Sequence, residues 1–380
     1  MMTILRLIRR ELANAFVHDA RRAIFLFGAA AAYLILFGIL YYPGVVKEIP
    51  TVVCDEEHSA YSRTLIRQVD DDERLGLVRV VGDIDEARAM LRGKKAYTAV
   101  VIPADFSKDI LNGRSAKVLF LFNGANIITT NIASSAGNDI VNTFNARFAA
   151  RQAALRTSGD EQLLKRRIEP VTTSLRVLNN PTQSYMQFFM VGLAMAAMQQ
   201  GIFLAIGAAV QGDFADKKLQ GTSKAALLAV KFAVYWLLSL LSFGLICVLS
   251  RLLGLPIRAP LTALFLLDGT FAFAAISLGI FGASLFQDEL QFVRASIMYT
   301  VPAFIFGGYT WPFEGMGPVT QLAAKAFPMA WLSNAVRELF LSGRFAALLE
   351  NLLVLTVMGV LFLSLGTWLF LRRFRKTEKA

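Results

Sequence analysis

The sequence is short of charge, of histidine and of cysteine. Only 18% of its 380 residues are charged while 55% are hydrophobic, and the mean hydropathy is +0.51. A soluble protein of this length needs more charged surface, and a disordered chain has far less apolar content, so both classes are excluded. Two histidines leave little room for a histidine-based metal site, and two cysteines exclude a disulfide-rich secreted scaffold.

Motifs that carry chemistry are also missing. The chain has no Gly-x-x-x-x-Gly-Lys-Ser/Thr loop for nucleotide phosphates, no His-Glu-x-x-His motif and no Gly-x-Ser-x-Gly elbow. His18 and His58 are isolated in the sequence, and Cys54 and Cys247 fall in different regions. We therefore expect no catalytic residue, no metal site and no cofactor, and a function other than that of an enzyme.

Long apolar runs dominate what remains. Crossing a bilayer takes about 20 apolar residues in a helix, and six stretches reach that length. They are Ala23 to Tyr42, Tyr185 to Val210, Phe232 to Ser250, Leu261 to Phe286, Ala295 to Phe313, and Asn351 to Leu371. The first run is longer than the core of a signal peptide, and no small-x-small cleavage site follows it, which favours an uncleaved anchor. The predicted fold is a polytopic α-helical membrane protein with six transmembrane helices.

Basic residues indicate the orientation of these helices. The amino-terminal arm, the carboxyl tail and the loops after the second and fourth spans together hold 15 basic and 7 acidic residues, whereas residues 43–183 hold 19 and 17. Because basic loops stay in the cytoplasm, both termini are predicted there, and the formal charge of +11 is a topology signal and no nucleic-acid patch. The predicted parts are a cytoplasmic amphipathic arm (1–22), a first transmembrane helix (23–42), a periplasmic domain (43–183), a five-helix transmembrane domain (184–371) and a basic cytoplasmic tail (372–380).

The arm has the pattern of a helix that lies on the membrane surface. Ile4, Leu5, Ile8, Leu12 and Phe16 fall near one helical face, and the arginines fall mostly elsewhere. Such a helix contacts membrane lipids in the interface plane. A solvated juxtamembrane helix is the alternative.

The polar insert alternates strand-like and helix-like segments, which is typical of a compact α/β domain. Strands are predicted at Ile49 to Cys54, Leu77 to Val81, Tyr97 to Ile102, Lys117 to Phe122 and Arg166 to Val177, with helices at Ser62 to Val69, Ile84 to Arg92, Ala104 to Leu111 and Ile127 to Arg156. Asp83 caps the second of these helices, with Glu86 completing a capping box. The strand order does not follow from the sequence.

Asp268 is the one carboxylate inside an apolar run. An acidic side chain within a span costs several kcal/mol and indicates function, such as a place on a transport path. The alternative is a position at the wet interface, paired with Arg251 or Arg258.

The order of parts and several insert motifs resemble the ABC-2 type permeases, in the subgroup with a large periplasmic domain after the first span. The similar segments are Asp55 with Ser62 to Leu65, Asp85-Glu86-Ala87, Leu91 to Lys94, Ala99 to Ser107, and Gly113 to Phe122. The segment Trp311-Pro312-Phe313, followed by Met316 to Pro318, resembles the re-entrant element of that family.

The resemblance implies a permease subunit of an exporter in the bacterial inner membrane, of the multidrug-efflux kind. An ATP-binding subunit would hydrolyse ATP, a second permease subunit would complete the path, and a periplasmic adaptor is a further partner. The residues it assigns to ATPase coupling are Asp216, Lys217, Lys218, Gly221, Thr222, Arg9 and Arg10. The acidic residues that flank Gly-Thr in the family are absent here, and Asp216 lies about one helical turn earlier.

Two other classes stay open. A secondary transporter would need ion-coupling groups within its spans, and Asp268 is the candidate. An envelope sensor or anchor protein would use the insert to bind a partner and the spans only for attachment.

Overall fold

The computed structural model describes residues 4–42, 46–112, 114–157, 180, 184–216, 219 and 221–377, with side chains undescribed at 151–157 and 376–377. The chain divides into two compact units, one of Met1–Gly44 with Val177–Ala380 and the other of Val45–Arg176. The first unit is helical. The second is an α/β unit.

The helical unit begins with a short arm helix and a long apolar helix. Its helices are α1 (Ile4–Ala13), α2 (Arg21–Leu40), and, after the α/β unit, α7 (Tyr185–Ala215), α8 (Lys224–Leu252), α9 (Leu261–Leu285), α10 (Glu289–Phe306), α11 (Pro318–Ala324), α12 (Pro328–Leu341) and α13 (Leu348–Thr377). Among the described residues, α2, α7, α8, α9 and α13 are long and apolar enough to cross a membrane. The chain is therefore a polytopic helical membrane protein.

The predicted span from Ala295 to Phe313 has the wrong carboxyl boundary. The helix there, α10, begins earlier and ends at Phe306, and the chain then turns through Gly308, whose φ of +77° favours glycine. Its first turns carry Glu289 and Arg294, so α10 is less apolar than the five helices that are apolar enough to cross a membrane. At 18 residues it is about 27 Å long, and α12 at 14 residues is about 21 Å, short of a bilayer core of about 30 Å.

Helix α7 lies at the centre of the helical unit. It packs against α2, α9, α10 and α12, and most of its side chains are buried. Glycines allow the close approach: a Cβ at Gly201 would collide with the carbonyl oxygen of Phe25, and one at Gly207 would collide with the ring of Phe292. Helix α10 runs antiparallel to α7, since Phe292 lies at Gly207 and Phe304 packs edge-on against Phe189, with ring centroids 5.9 Å apart.

The first membrane helix contains a π-helical turn at Ile24–Gly28, in which the normal backbone bonding is interrupted. The hydroxyl of Ser242 in α8 donates a hydrogen bond of 2.7 Å to the carbonyl oxygen of Leu26. This bond satisfies a backbone acceptor inside the bundle and fixes α8 against α2.

The α/β unit contains a four-stranded sheet with helices on both faces. Its elements are β1 (Ile49–Asp55), α3 (Ala60–Asp70), β2 (Leu75–Val81), α4 (Ile84–Arg92), β3 (Thr98–Ile102), α5 (Phe106–Leu111), β4 (Leu119–Phe122) and α6 (Ile127–Thr157). The strand order is β2-β1-β3-β4; β1 is parallel to β2 and β3, and β4 is antiparallel to β3. Side chains of α3, α5 and α6 share the core on one face, and those of α4 share the core on the other. The predicted strand from Arg166 to Val177 lies outside the described residues.

The motif residues of the insert form hydrogen-bonded turns at the carboxyl ends of β1 and β3. Asp55 accepts a 2.8 Å hydrogen bond from the hydroxyl of Ser62, which also forms a capping box with Ser59 at the start of α3. Glu57 accepts hydrogen bonds from the backbone NH and the hydroxyl of Ser107 at the start of α5. These residues therefore start helices, which is a structural role.

At α4 the cap is simpler than predicted. Asp83 accepts a hydrogen bond from the backbone NH of Asp85, as expected of an N-cap. Glu86 instead forms a 3.1 Å ion pair with Arg79 on β2. The helix bounds themselves, Ile84–Arg92, agree with the prediction.

Candidate functional site

The arm helix α1 packs against the helical unit along one narrow face. Leu7 and Glu11, four residues apart and therefore adjacent on a helix, are 1% and 0% exposed. Ile4 and Leu5, in the first turn of α1, are 65% and 60% exposed. Helix α1 thus has an outward apolar surface besides its docked face, as expected of a helix at a membrane interface.

Arg10 on α1 joins the arm to the carboxyl end of α7. Its Nη2 lies 3.0 Å from Asp213 Oδ1 and 3.0 Å from Asp216 Oδ2, and its Nη1 lies 2.8 Å from Glu11 Oε1. Burial lowers the pKa of Arg10, but the neighbouring carboxylates outweigh burial and raise that pKa above its ordinary value. Arg10 is therefore a permanent cation at the point where α7 ends.

Lys231 on α8 completes the network from the other side. Its Nζ lies 2.7 Å from Glu11 Oε2 and 3.0 Å from Asp213 Oδ2. Lys231 and Glu11 have no exposed side-chain surface, and Asp213 has 2%. We call the set Arg10, Glu11, Asp213, Asp216 and Lys231 the ion network; it links α1, α7 and α8.

Each charged side chain of the ion network is stable in its buried position only because the others are close to it. Moving a charge out of water costs several kcal/mol per ion, and only close counter-ions with good geometry offset that cost. Asp213 and Asp216 also lie at the carboxyl end of α7, where the helix dipole disfavours anions, so Arg10 compensates for both effects. The ion network therefore holds the arm helix α1 in one position against α7 and α8. Pulling α1 away from only one of these helices would leave buried charges without their counter-ions.

Between α7 and α8, beside the ion network, the structure describes Leu219 and Gly221 to Ser223, which we call the α7–α8 turn. The backbone NH of Thr222 donates to the carbonyl oxygen of Leu219 at 3.1 Å, and Gly221 adopts a φ of +77°. Leu219 is 1% exposed and Thr222 is 9% exposed, while Gly221 is exposed and has no neighbouring atom where a Cβ would lie. Lys224 Nζ donates a 2.8 Å hydrogen bond back to the carbonyl oxygen of Leu219.

The carboxyl ends of α9 and α13 meet at the same end of the bundle. Gln211 on α7 donates to the carbonyl oxygen of Ala283 at 2.7 Å and to that of Phe286 at 3.0 Å. Arg373 on α13 donates to the carbonyl oxygens of Phe286 and Gln287 and stacks over Phe214. The last carbonyls of α9 are thus satisfied by side chains from α7 and α13.

The structure brings together part of the predicted coupling set. Arg10 and Asp216 are in direct contact, and Gly221 and Thr222 lie in the adjoining turn. Arg9 is exposed on α1 and forms no ion pair with the other described residues. Lys217 and Lys218 lie outside the described residues.

Sequence reasoning missed the centre of the network. Neither Lys231 nor Glu11 is among the predicted site residues, yet Lys231 lies inside α8 among buried residues, four positions after Leu227 and four before Tyr235. Glu11 similarly follows Leu7 on the docked face of α1. A charged residue at core spacing on each of two helices was the available signal, and it suggests a buried pair.

Asp268 is at the core of the bundle and away from its surface. The side chain lies within α9 and is 1% exposed, and neither carboxylate oxygen has a hydrogen-bond partner among the described residues. The proposed pairing with Arg251 or Arg258 is wrong, because both arginines are exposed and form no ion pair with Asp268. Across the described residues, no group of three or more histidine, cysteine or acidic side chains could hold a metal ion.

Comparison with known proteins identifies the family. A family model described as "ABC-2 family transporter protein" matches residues 21–368. The chain is 24% identical over 155 residues to the probable multidrug ABC transporter permease YbhS of Escherichia coli K12, covering 40% of this chain and 41% of YbhS. It is 20% identical over 356 residues to the probable multidrug ABC transporter permease YbhR of the same organism, covering 88% of this chain and 89% of YbhR. The chain thus spans about two fifths of YbhS and most of YbhR. It belongs to the ABC-2 family of transporter proteins.

Proposed function

We propose that this permease works with a separate ATP-binding subunit and is driven through α1 and the α7–α8 turn. The ion network is the observation that carries the proposal. Because Arg10 and Glu11 are held by Asp213 and Lys231, a force on the arm or on the turn moves α1, α7 and α8 together. Two long membrane helices would then transmit nucleotide-driven movement into the bundle.

We also propose that the end of the bundle with the ion network faces the cytoplasm. The start of α2 and the ends of α7, α9 and α13 lie there: Arg22 donates to the carbonyl oxygen of Ala208, and Arg373 donates to that of Phe286. The described basic residues of the arm and of the tail, such as Arg10 and Arg373, lie at this end, in agreement with the positive-inside rule. Both termini are then cytoplasmic, and the α/β unit is periplasmic.

Six crossings follow from the same arrangement. Helix α9 ends beside the ion network and α13 finishes there, so the chain between them must return to the opposite end before α13 begins. Helix α10 supplies this return, because it runs antiparallel to α7 from Gly207 towards Phe189. A crossing by α10 is less apolar than the others and depends on its packing against α7 and α12.

The cargo, the second permease subunit and a periplasmic adaptor remain proposals that rest on the family. The names of YbhS and YbhR refer to multidrug transport, which supports small hydrophobic molecules as cargo. Asp268 favours one competing function, a proton-driven secondary transporter, because it is a buried carboxylate with no partner among the described residues. Export that collapses with the proton gradient while ATP is maintained would support that alternative.

Affinity capture from membranes tests the proposed partnership. The tagged chain should copurify with a polypeptide that carries a phosphate-binding loop and hydrolyses ATP. Glu11→Gln combined with Arg10→Gln should weaken this capture, because the arm loses its buried attachment, whereas Lys325→Gln, at an exposed residue outside the arm and the α7–α8 turn, should leave it unchanged. Capture of no ATPase by the unaltered chain, under conditions that retain a second permease subunit, would contradict the proposal.

A further inference from the structure

The α/β unit contains a cavity of about 720 Å³ on the sheet face that carries α3, α5 and α6. It lies between Leu65 on α3, the residues around Phe106 on α5, the segment that leads into β4, and the middle of α6. Cavities of this size are typical of sites for small organic ligands.

The inner surface of the cavity is apolar. Leu65, Phe106 and Phe144 form its floor and are 1%, 3% and 8% exposed. The rings of Phe106 and Phe144 pack with centroids 5.7 Å apart, and Phe148 packs edge-on against Tyr61 at 5.7 Å. No polar side chain lies among these floor residues, so the floor suits a hydrocarbon chain.

The mouth of the cavity is basic. Arg114 and Lys117 line it beside Ser115 and Asn145, and all four are exposed. Among the described residues, neither Arg114 nor Lys117 has a carboxylate within ion-pair distance. The backbone NH of Arg114 donates a 2.8 Å hydrogen bond to the carbonyl oxygen of Asp109, which fixes this segment to the end of α5.

We propose that this cavity binds a single-chain anionic amphiphile, such as a long-chain fatty acid. The hydrocarbon tail would occupy the apolar floor, and the head group would accept hydrogen bonds from Arg114 and Lys117 at the mouth. The two cations at the mouth attract an anionic head group and repel a cationic one, which favours an anionic amphiphile over a cationic one. This site belongs to the α/β unit alone and does not depend on ATPase coupling.

Photolabelling of the full-length chain in zwitterionic lipid nanodiscs tests the site. The probe is a palmitic acid that carries a diazirine in its tail, and a quaternary ammonium amphiphile of the same chain length is the comparison. We expect the acid to label peptides that contain Ile110, Val141 or Phe144, and the cationic probe to label them about tenfold less. Peptides from the membrane helices will also be labelled, because the probe dissolves in the lipid, and this labelling is counted separately from that of the cavity peptides.

Two variants and one matched control make the outcome specific. Arg114→Glu combined with Lys117→Glu should reduce acid labelling of these peptides about tenfold, whereas Lys94→Glu with Lys95→Glu, on the opposite face of the sheet, should leave it unchanged. Val141→Trp should reduce labelling by filling the cavity without altering charge. Equal labelling by the acid and the cationic probe, labelling unchanged in both cavity variants, or no label in these peptides of the unaltered chain would overturn the proposal.

Discussion

Carboxylates are buried in the helical unit in two different ways. Glu11 and Asp213 lie against Arg10 and Lys231, with every separation at or below 3.0 Å. Asp268 is buried to the same degree within α9 but has no partner among the described residues. Glu11 and Asp213 help to hold α1, α7 and α8 together, whereas Asp268 forms no such link among the described residues.

The difference teaches which buried charge is structural. Removing one member of a paired cluster leaves its counter-ions desolvated and uncompensated, so the loss exceeds the value of the pair itself. Removing an uncompensated ionisable group changes the free energy of unfolding in the opposite direction, because burying that group was unfavourable in the first place. Burial alone therefore does not distinguish the two roles, and the neighbours do.

The largest effect is expected at Lys231. Lys231→Met removes the fully buried cation that contacts Glu11 and Asp213, so that two buried carboxylates share Arg10 alone, and it should lower the free energy of unfolding by about 3–5 kcal/mol. The loss of stability is measured by thermal unfolding in detergent, with the remaining fraction of monodisperse protein as the readout. Exposed Lys325→Met is the control and should change little.

The coupling between α1 and α8 should be visible in a double-mutant cycle. Glu11→Gln alone should destabilise strongly, but Glu11→Gln together with Lys231→Met should cost clearly less than the sum of the single changes, by about 1–3 kcal/mol. The reason is that the two changes remove charges of opposite sign that face each other. Strict additivity in the unfolding measurements would show that the two side chains do not interact.

A smaller effect is expected at the rim of the ion network. The Asp216 side chain is 29% exposed, so water screens its contact with Arg10. Asp216→Asn should lower stability by about 1 kcal/mol or less, in the same unfolding assay. A loss as large as that of Lys231→Met would mean that Asp216 belongs to the buried centre.

The smallest effect on stability is expected at Asp268. Asp268→Asn preserves shape and replaces a buried carboxyl group that has no partner among the described residues by a group that cannot ionise, so stability should stay the same or rise. If Asp268 serves a transport path, export falls while stability holds, and measuring both in one preparation separates the two roles. A loss of several kcal/mol would show that Asp268 has a counter-ion beyond the described residues.

The sequence predicts the elements of this protein better than it predicts their contacts. Apolar runs locate five long helices, and strand and helix patterns locate the elements of the described α/β unit within a few residues, because these signals are local. The strand order β2-β1-β3-β4 depends on long-range pairing and has no local signal. The end of α10 was misplaced because the apolar run continues through Gly308, where only the backbone conformation ends the helix.

The candidate site shows the same division. Arg10, Asp216, Gly221 and Thr222 were predicted from a resemblance and lie at the same end of the bundle, while their role in coupling stays a prediction. Lys231 and Glu11 were not predicted, since their meaning comes from a partner 220 positions away in the chain. Asp268 was singled out because it interrupts an apolar run, which indicates burial but does not show that the described residues offer it no partner.

A matched pair of glycines tests most directly whether the α7–α8 turn transmits ATP-driven movement. Gly221 and Gly254 have φ of +77° and +76°, neither has an atom near the position of a Cβ, and they lie at opposite ends of α8. Alanine at either position introduces similar backbone strain of about 1–2 kcal/mol. In the complex captured with its ATPase, Gly221→Ala should impair transport-linked ATP hydrolysis while Gly254→Ala leaves it near the unaltered level. Equal activity of the two variants would contradict the account.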